Sequence, residues 1–285
     1  MKVRFLGTAA GGGLPQWNCA CTGCTAARRA GVGRTQDCLA VTGDGSAWYL
    51  VNASPDLRTQ LIAAPELAPG PGLRDTPVRG VLCSTGELDH TLGLVTLREA
   101  AALDIYATAP VRAALEGPFP AGPILSRYTT VKWHEVVPGE WRTLDGGLMV
   151  RAVTLGAKRP RYADGLPGED WVVAYRFVDP VTGGVLVYAP CLAEWSEQFQ
   201  RAITQAHVVV LDGTFQHDDE MTREAGGGAP ASAMGHLPIE QTLDRLPAGT
   251  RCVYTHFNNT NPLARPGAQE LAGAEIAADG QVLEL

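Results

Sequence analysis

The sequence predicts an α/β protein folded as an αββα sandwich, two mixed β-sheets flanked by helices. Three observations carry that expectation. Strand-like apolar runs recur along the whole chain, helical patterns fall between some of them, and the early strands arrive nearly back to back whereas later ones are separated by helices. A length of 285 residues, 45% of them hydrophobic and 19% charged, fits a single domain spanning 1–285, and no boundary interrupts it. Its 33 glycines and 20 prolines mark a chain rich in turns yet short of low-complexity disorder.

The strand-like runs are Lys2–Leu6, Cys38–Thr42, Trp48–Ala53, Val78–Ser84, Ile105–Thr108, Leu148–Leu155, Trp171–Val178, Gly184–Tyr188, His207–Leu211 and Arg251–Thr255. Several alternate as half-buried strands do; others are continuously apolar, as expected of strands covered on both faces. Helices are expected over Pro55–Ala64, which opens with proline in its first turn, and over Thr91–Ala102, Ala193–Ala206 and Pro238–Leu246, which carry apolar residues at three-and-four spacing. Gly156–Gly168 and Arg223–Gly235 read as long mobile loops. The first contains Lys158-Arg159-Pro160-Arg161-Tyr162, either a solvated charge run or a clamp for a substrate carboxylate.

Composition excludes several functions. No apolar run is long enough to span a membrane and the first residues read as a strand, so the expectation is a cytoplasmic protein without a membrane partner. A formal charge of −7 without a Lys/Arg cluster lacks the footprint of nucleic-acid binding. Small-molecule or peptide chemistry remains, and a homodimer stays open.

Seven cysteines is an odd number in a chain too large to need disulfides, and Cys19, Cys21 and Cys24 crowd into Asn18-Cys19-Ala20-Cys21-Thr22-Gly23-Cys24. The stretch 18–25 is therefore expected to form a knuckle around a structural Zn²⁺, which wants four ligands in a tetrahedron. The fourth is open among Cys38, Cys191, His217, Asp218 and Asn259. The loop has almost no apolar residues of its own, so an ion would pin it.

A polar cluster, Ser84-Thr85-Gly86-Glu87-Leu88-Asp89-His90-Thr91, follows one buried strand and opens a helix, where layered α/β proteins place their sites. This junction resembles the second motif of the metallo-β-lactamase superfamily, His-x-His-x-Asp-His. Asp89 and His90 keep the last two positions, and Thr85 and Glu87 replace the first two histidines. Asn52-Ala53-Ser54-Pro55-Asp56 resembles the first motif; Asp56, with Arg58 nearby, would then orient a metal ligand from behind. Tyr254-Thr255-His256-Phe257 resembles the final ligand motif. Ala189-Pro190-Cys191 stands where a bridging aspartate would be expected, so the resemblance implies that the bridge is missing. What survives, Asp89, His90 and His256, has the composition of the facial triad that holds mononuclear non-haem iron. Three protein ligands around zinc would instead activate water. Asp212 ends a buried strand and His236 precedes a helix; with Glu87 they are the acid–base candidates. Lone histidines such as His134 and His207 read as packing residues, and His217 sits beside three acids in a solvated turn.

The full set of motifs is similar to the coenzyme PQQ synthesis protein B family. The match runs through Phe5–Cys19, Arg34-Thr35-Gln36, Asn52–Asp56, Leu88-Asp89-His90, Leu97-Arg98-Glu99, Tyr188-Ala189-Pro190, Asp212–Phe215, Asp218–Met221, Met234-Gly235-His236 and Thr255–Pro262. The resemblance implies a role in pyrroloquinoline quinone biosynthesis: an Fe²⁺-dependent oxygenase hydroxylating the tyrosine ring of a glutamate–tyrosine dipeptide derived from a precursor peptide, or a non-catalytic carrier of the cofactor or its precursor. A metal-dependent phosphodiesterase-like hydrolase is a third reading, disfavoured by the missing histidines and bridge. Cys83–Glu87 and Gln216-His217 depart from the family's pattern and bear on substrate choice.

Overall fold

A computed structural model describes residues 1–285. The first half runs β1 (Lys2–Gly7), α1 (Thr22–Ala30), β2 (Cys38–Thr42), β3 (Trp48–Val51), α2 (Leu57–Ile62), β4 (Val78–Leu82), α3 (Leu88–Thr91), β5 (Ala102–Ala107), α4 (Ala109–Glu116), α5 (Ala121–Leu125) and β6 (Thr130–Glu135). The second runs β7 (Trp141–Thr143), β8 (Met149–Gly156), β9 (Val172–Val178), β10 (Val185–Ala189), α6 (Glu197–Ile203), β11 (Val208–Asp212), α7 (Glu220–Ala225), α8 (Ile239–Thr242), β12 (Arg251–Thr255), β13 (Glu275–Ile276) and β14 (Val282–Glu284).

These strands form two seven-stranded sheets, ordered β14-β1-β2-β3-β4-β5-β6 and β13-β12-β11-β10-β9-β8-β7. Both are mixed. In the first, β14 to β3 pair antiparallel and β3 to β6 parallel; in the second, β7 to β10 pair antiparallel and β10 to β13 parallel. The αββα expectation holds.

Side-chain alternation explains the layering. Leu39 and Val41, Tyr49 and Val51, Leu186 and Tyr188, and Val208 and Val210 point between the sheets. Their neighbours Cys38 and Ala40, and Trp48 and Leu50, face outward with Leu57 of α2 and Val111 and Leu115 of α4. Val187, Val209 and Leu211 pack with Phe199 and Ile203 of α6. Strands covered on both faces must be apolar at every position, which is why their runs are continuous.

The corrections are local. β7, β13 and β14 are edge strands of two or three residues, too short for a periodic signal. Helix α1 grows out of the cysteine knuckle, α4 and α5 were not expected, and α7 occupies the start of the segment read as a loop at Arg223–Gly235. The helix expected over Thr91–Ala102 is instead α3 followed by a 3₁₀ stretch, Leu92–Glu99. The helix expected over Ala193–Ala206 shrinks to α6, and Pro238–Leu246 holds only α8 and a short 3₁₀ turn.

One close approach sets the position of α3. The Gly93 N–H donates to the Ala53 carbonyl at 2.9 Å. A methyl group at Gly93 would meet the Ser54 carbonyl at 2.1 Å and that of Ala53 at 2.8 Å. Backbone cannot yield as a side-chain tip does, so Gly93→Ala should destabilise the protein by about 1–3 kcal/mol through overpacking. The urea midpoint of the variant checks this; an unchanged midpoint would show that the contact is not tight.

Candidate metal centre

Parallel strands end at a common edge, and this rule assembles the centre. β10, β11 and β12 run parallel, so Cys191, Asp212 and His256 emerge together. β3 and β4 do the same in the other sheet, presenting Asn52 and the stretch Cys83–His90. Asn52 has φ 70°, a conformation asparagine tolerates better than most residues, and its Oδ1 accepts from the Ser84 N–H at 2.9 Å and the Ser84 hydroxyl at 3.0 Å. The two edges are joined directly. The Phe257 N–H donates to the Thr8 carbonyl at 2.9 Å, Ala10 N–H to the Phe257 carbonyl at 2.8 Å, and Val173 N–H to the Ser84 carbonyl at 2.8 Å.

Asp89, His90 and His256 meet across this seam. The Asp89 Oδ2 lies 3.3 Å from His256 Nε2 and 3.9 Å from His90 Nε2. The rings of His90 and His256 are 5.0 Å apart. His90 is fully buried, yet neither of its ring nitrogens has a hydrogen-bond partner. A buried polar group without a partner costs about 1–3 kcal/mol, so a naked imidazole here calls for an occupant. His256 has φ 60°, an uncommon conformation of the kind that gathers at functional sites.

The charges follow from position. Burial pulls His90 down to about 4, leaving it neutral. Burial also works against a charge on His256, but the hydrogen bond and charge of Asp89 outweigh it and raise this imidazole to about 9. Partial burial would raise Asp89, but His90 and His256 hold it well below the usual carboxylate range. A neutral imidazole, an imidazolium and a carboxylate therefore converge on one spot.

Thr214, which the sequence did not single out, orients this group. Its hydroxyl donates to Asp212 Oδ1 at 2.6 Å, leaving the oxygen to accept from His256 Nδ1–H at 2.8 Å. His256 Nε2 is thereby turned toward Asp89. Asp212 Oδ2 accepts from His236 Nδ1–H at 2.7 Å, so His236 presents its other nitrogen. Burial would raise Asp212, but His236 brings it below its ordinary value. The ligand atoms of Asp212, His236 and His256 lie within 4.8 Å of one another, and so do those of His90, Cys191 and His256.

A cavity of about 340 Å³ opens over these residues and is lined by Glu87, Asp89, His90, Cys191, His236 and His256, with Lys158 and Arg161 among its other walls. That is the size of a small-ligand site. Burial, then the charge of Asp89, raises the Glu87 carboxyl. In the Gly156–Gly168 segment Lys158 donates to the Met234 carbonyl and Arg159 to that of Leu166, whereas the Arg161 side chain is exposed and makes no hydrogen bond or ion pair within the chain.

Other candidates lie elsewhere. Asp56 Oδ2 accepts from the backbone and side chain of Gln36 at 2.8 and 3.1 Å and bonds to none of the converging imidazoles. Arg58 is exposed on α2. Their expected support of a ligand is replaced by the hydroxyl of Thr214. Of the fourth-ligand candidates only Asn259 meets the knuckle, its Nδ2 lying 3.2, 3.4 and 3.4 Å from the sulfurs of Cys19, Cys21 and Cys24. Cys191 lines the cavity, Cys38 donates to the Asn52 carbonyl, His217 pairs with Glu240 at 2.6 Å, and Asp218 accepts from Ser232 N–H. The knuckle sulfurs lie within 4.8 Å of one another. Burial opposes ionisation of Cys21, but the Cys24 N–H and neighbouring groups bring its thiol below the usual value. His134 pairs with Asp104 at 2.6 Å, and His207 accepts from the Val185 N–H.

Comparison with known proteins agrees with this architecture. The Beta-lactamase superfamily domain matches residues 47–257. The coenzyme PQQ synthesis protein B of Azoarcus sp. (strain BH72) is 41% identical with all of both chains aligned, and that of Cupriavidus necator is 39% identical, covering 100% of this chain and 99% of the relative. The crystal structure of Zn²⁺-bound PqqB from Methylobacterium extorquens superposes with a TM-score of 0.88 at 32% identity over the full length of both chains. A diphosphatase of the PhnP family shares the fold, with a TM-score of 0.73 at 19% identity over 100% of this chain and 97% of its own. Full-length identity at this level, on a shared superfamily fold, places the chain in the coenzyme PQQ synthesis protein B family.

Proposed function

We propose that the chain acts in pyrroloquinoline quinone biosynthesis as an iron-dependent hydroxylase of the tyrosine ring in a glutamate–tyrosine dipeptide. The observation that carries this reading is His90, buried with both ring nitrogens unsatisfied beside Asp89 and His256 at the floor of a small-ligand cavity. Two imidazoles and one carboxylate fit a mononuclear iron centre. A bound Fe²⁺ would supply oxygen activation there. The relay from Asp212 through Thr214 keeps His256 in the tautomer that aims Nε2 at the centre. His236, anchored to Asp212 through Nδ1, has its second nitrogen free to take the phenol proton. Arg161, without a partner in the chain, offers its guanidinium to a dipeptide carboxylate. Glu87, whose carboxyl burial and then the charge of Asp89 push upward, lines the same cavity.

Protein loaded anaerobically with Fe²⁺, then given oxygen, a glutamate–tyrosine dipeptide and ascorbate to supply the two electrons that reduce the second oxygen atom to water, should yield a product one oxygen atom heavier, and His256→Ala should yield none. Binding without turnover would make the chain a carrier and end the hydroxylase reading. Arg161→Ala should raise KM about tenfold while leaving kcat within a few-fold, the pattern of lost uniform binding.

Ion binding should be pH-dependent. His256 carries a proton below about 9 while His90, at about 4, carries none. An ion must displace at least the His256 proton, so apparent affinity should rise about tenfold or more per pH unit between about 6 and 8. Calorimetric titration with Zn²⁺ at several pH values checks the slope; a flat profile would count against His256 as a ligand.

We also assign a structural zinc to Cys19, Cys21 and Cys24, with the fourth position going to Asn259 if its amide turns to exchange the Nδ2 that now faces the sulfurs for Oδ1. Cys21→Ser should lose one zinc per chain by elemental analysis and lower the thermal midpoint, on a scale of about 2–4 °C per kcal/mol for a domain of this size. Retained stoichiometry would refute the assignment.

A further inference from the structure

Cys191 is the thiol that neither the knuckle nor the hydrophobic layers account for. Cys19, Cys21 and Cys24 meet one another, Cys38 donates to a backbone carbonyl, and Cys83 and Cys252 are packed among apolar side chains. Cys191 makes no hydrogen bond and borders the cavity. Its sulfur lies within 4.8 Å of ligand nitrogens on both His90 and His256, and His90 is the buried imidazole with no partner on either nitrogen.

The thiol is also held in place. Asp212 Oδ2 accepts from the Leu192 N–H at 2.8 Å, and the Leu192 carbonyl accepts from the Leu237 N–H at 2.6 Å. The carboxylate that anchors His236 and, through Thr214, His256 therefore fixes the peptide next to Cys191 as well. A mobile thiol would need no such tether. Sulfur and two imidazoles lie within 4.8 Å of one another, with the Asp89 carboxylate 3.3 and 3.9 Å from the two rings, and adding a thiolate to imidazole and carboxylate favours borderline and soft divalent ions.

We propose that Cys191 is a further protein ligand of this centre, its thiolate joining Asp89, His90 and His256 and biasing the site toward thiolate-seeking ions. The inference rests on the metal-centre reading above, and the test separates the two. Binding replaces the thiol proton, which leaves to solvent, with the ion.

Co²⁺ is the probe, because its ligand-field bands report the centre and sulfur-to-cobalt charge transfer in the near ultraviolet reports a thiolate. The knuckle contributes charge transfer of its own, so wild-type protein and Cys191→Ser are compared at two equivalents of Co²⁺. The variant should keep its ligand-field absorption, lose a share of the charge-transfer intensity, and bind the second ion at least about tenfold more weakly. Identical spectra and affinities would overturn the ligand assignment and leave the centre standing. If wild-type protein takes up no second cobalt, and Asp89→Ala changes nothing, the centre fails and the inference with it. Should Cys191→Ser not fold, peptide mapping after iodoacetamide treatment of wild-type protein decides: protection of Cys191 by added Zn²⁺ supports the proposal, and equal alkylation with and without Zn²⁺ overturns it.

Discussion

A centre drawn from two separate sheets exists only if their ends are held in register, and here a few backbone hydrogen bonds do that. Thr8 and Ala10 clasp Phe257, so the first strand's exit is tied to the residue after His256. Ser84 is tied to Val173, and the Tyr175 hydroxyl donates to the Cys83 carbonyl at 2.8 Å, so the β4 exit that leads to Asp89 is tied to β9. Each bond contributes only about 1 kcal/mol. Their value lies in geometry, since imidazoles and a carboxylate must hold their separations to a fraction of an ångström before they can share an ion.

The same seam determines the charge pattern. Asp89 is shared unequally, closer to His256 than to His90, and this asymmetry drives one imidazole up and lets burial drive the other down. A symmetric arrangement would force two partly charged rings together. Beneath them Asp37, buried and raised to about 6 by that burial, accepts from the Thr255 hydroxyl at 2.7 Å, so the backbone that presents His256 rests on a group that need not be charged at lower pH. The centre thus stacks a polar layer on another polar layer, and hydrogen bonds close most of both, leaving His90 and Cys191 without partners.

What could be read in the sequence tracks the range of the physics involved. The sandwich was legible because continuous runs such as Val208-Val209-Val210-Leu211 need cover on both faces, a purely local pattern. Asp89, His90 and His256 stood out because strand ends followed by polar residues are visible without knowing the partners. Thr214 did not, since a threonine becomes an orienting group only when Asp212 and His256 close around it, 2 and 42 residues away. Cys191 stayed open among five knuckle candidates for the same reason, since sequence offers no measure of which cluster a thiol reaches; in the structure it lines the cavity. Asp56 looked like a supporting acid, but it spends its acceptor on Gln36 and so steadies the glycine turn at Gly12, whose N–H donates to Gln36 at 3.1 Å.

The segment after β12 runs from the cavity to the knuckle. His256 faces the centre, Phe257 is clasped by Thr8 and Ala10, Asn258 borders the cavity and donates its N–H to Thr214, and Asn259 enters the knuckle. Asn261 then donates through its side chain to the Gly213 carbonyl at 2.8 Å. Gly23 has no room for a side chain, since a methyl there would meet the Asn259 carbonyl at 2.4 Å, so α1 presses directly on this segment. With His256 held in a strained backbone conformation, some part of the surrounding structure must oppose its relaxation. The knuckle grips the chain three residues further on. An ion there would make the opposing contact stiff, which gives a cluster of thiols outside the cavity a physical reason to be present.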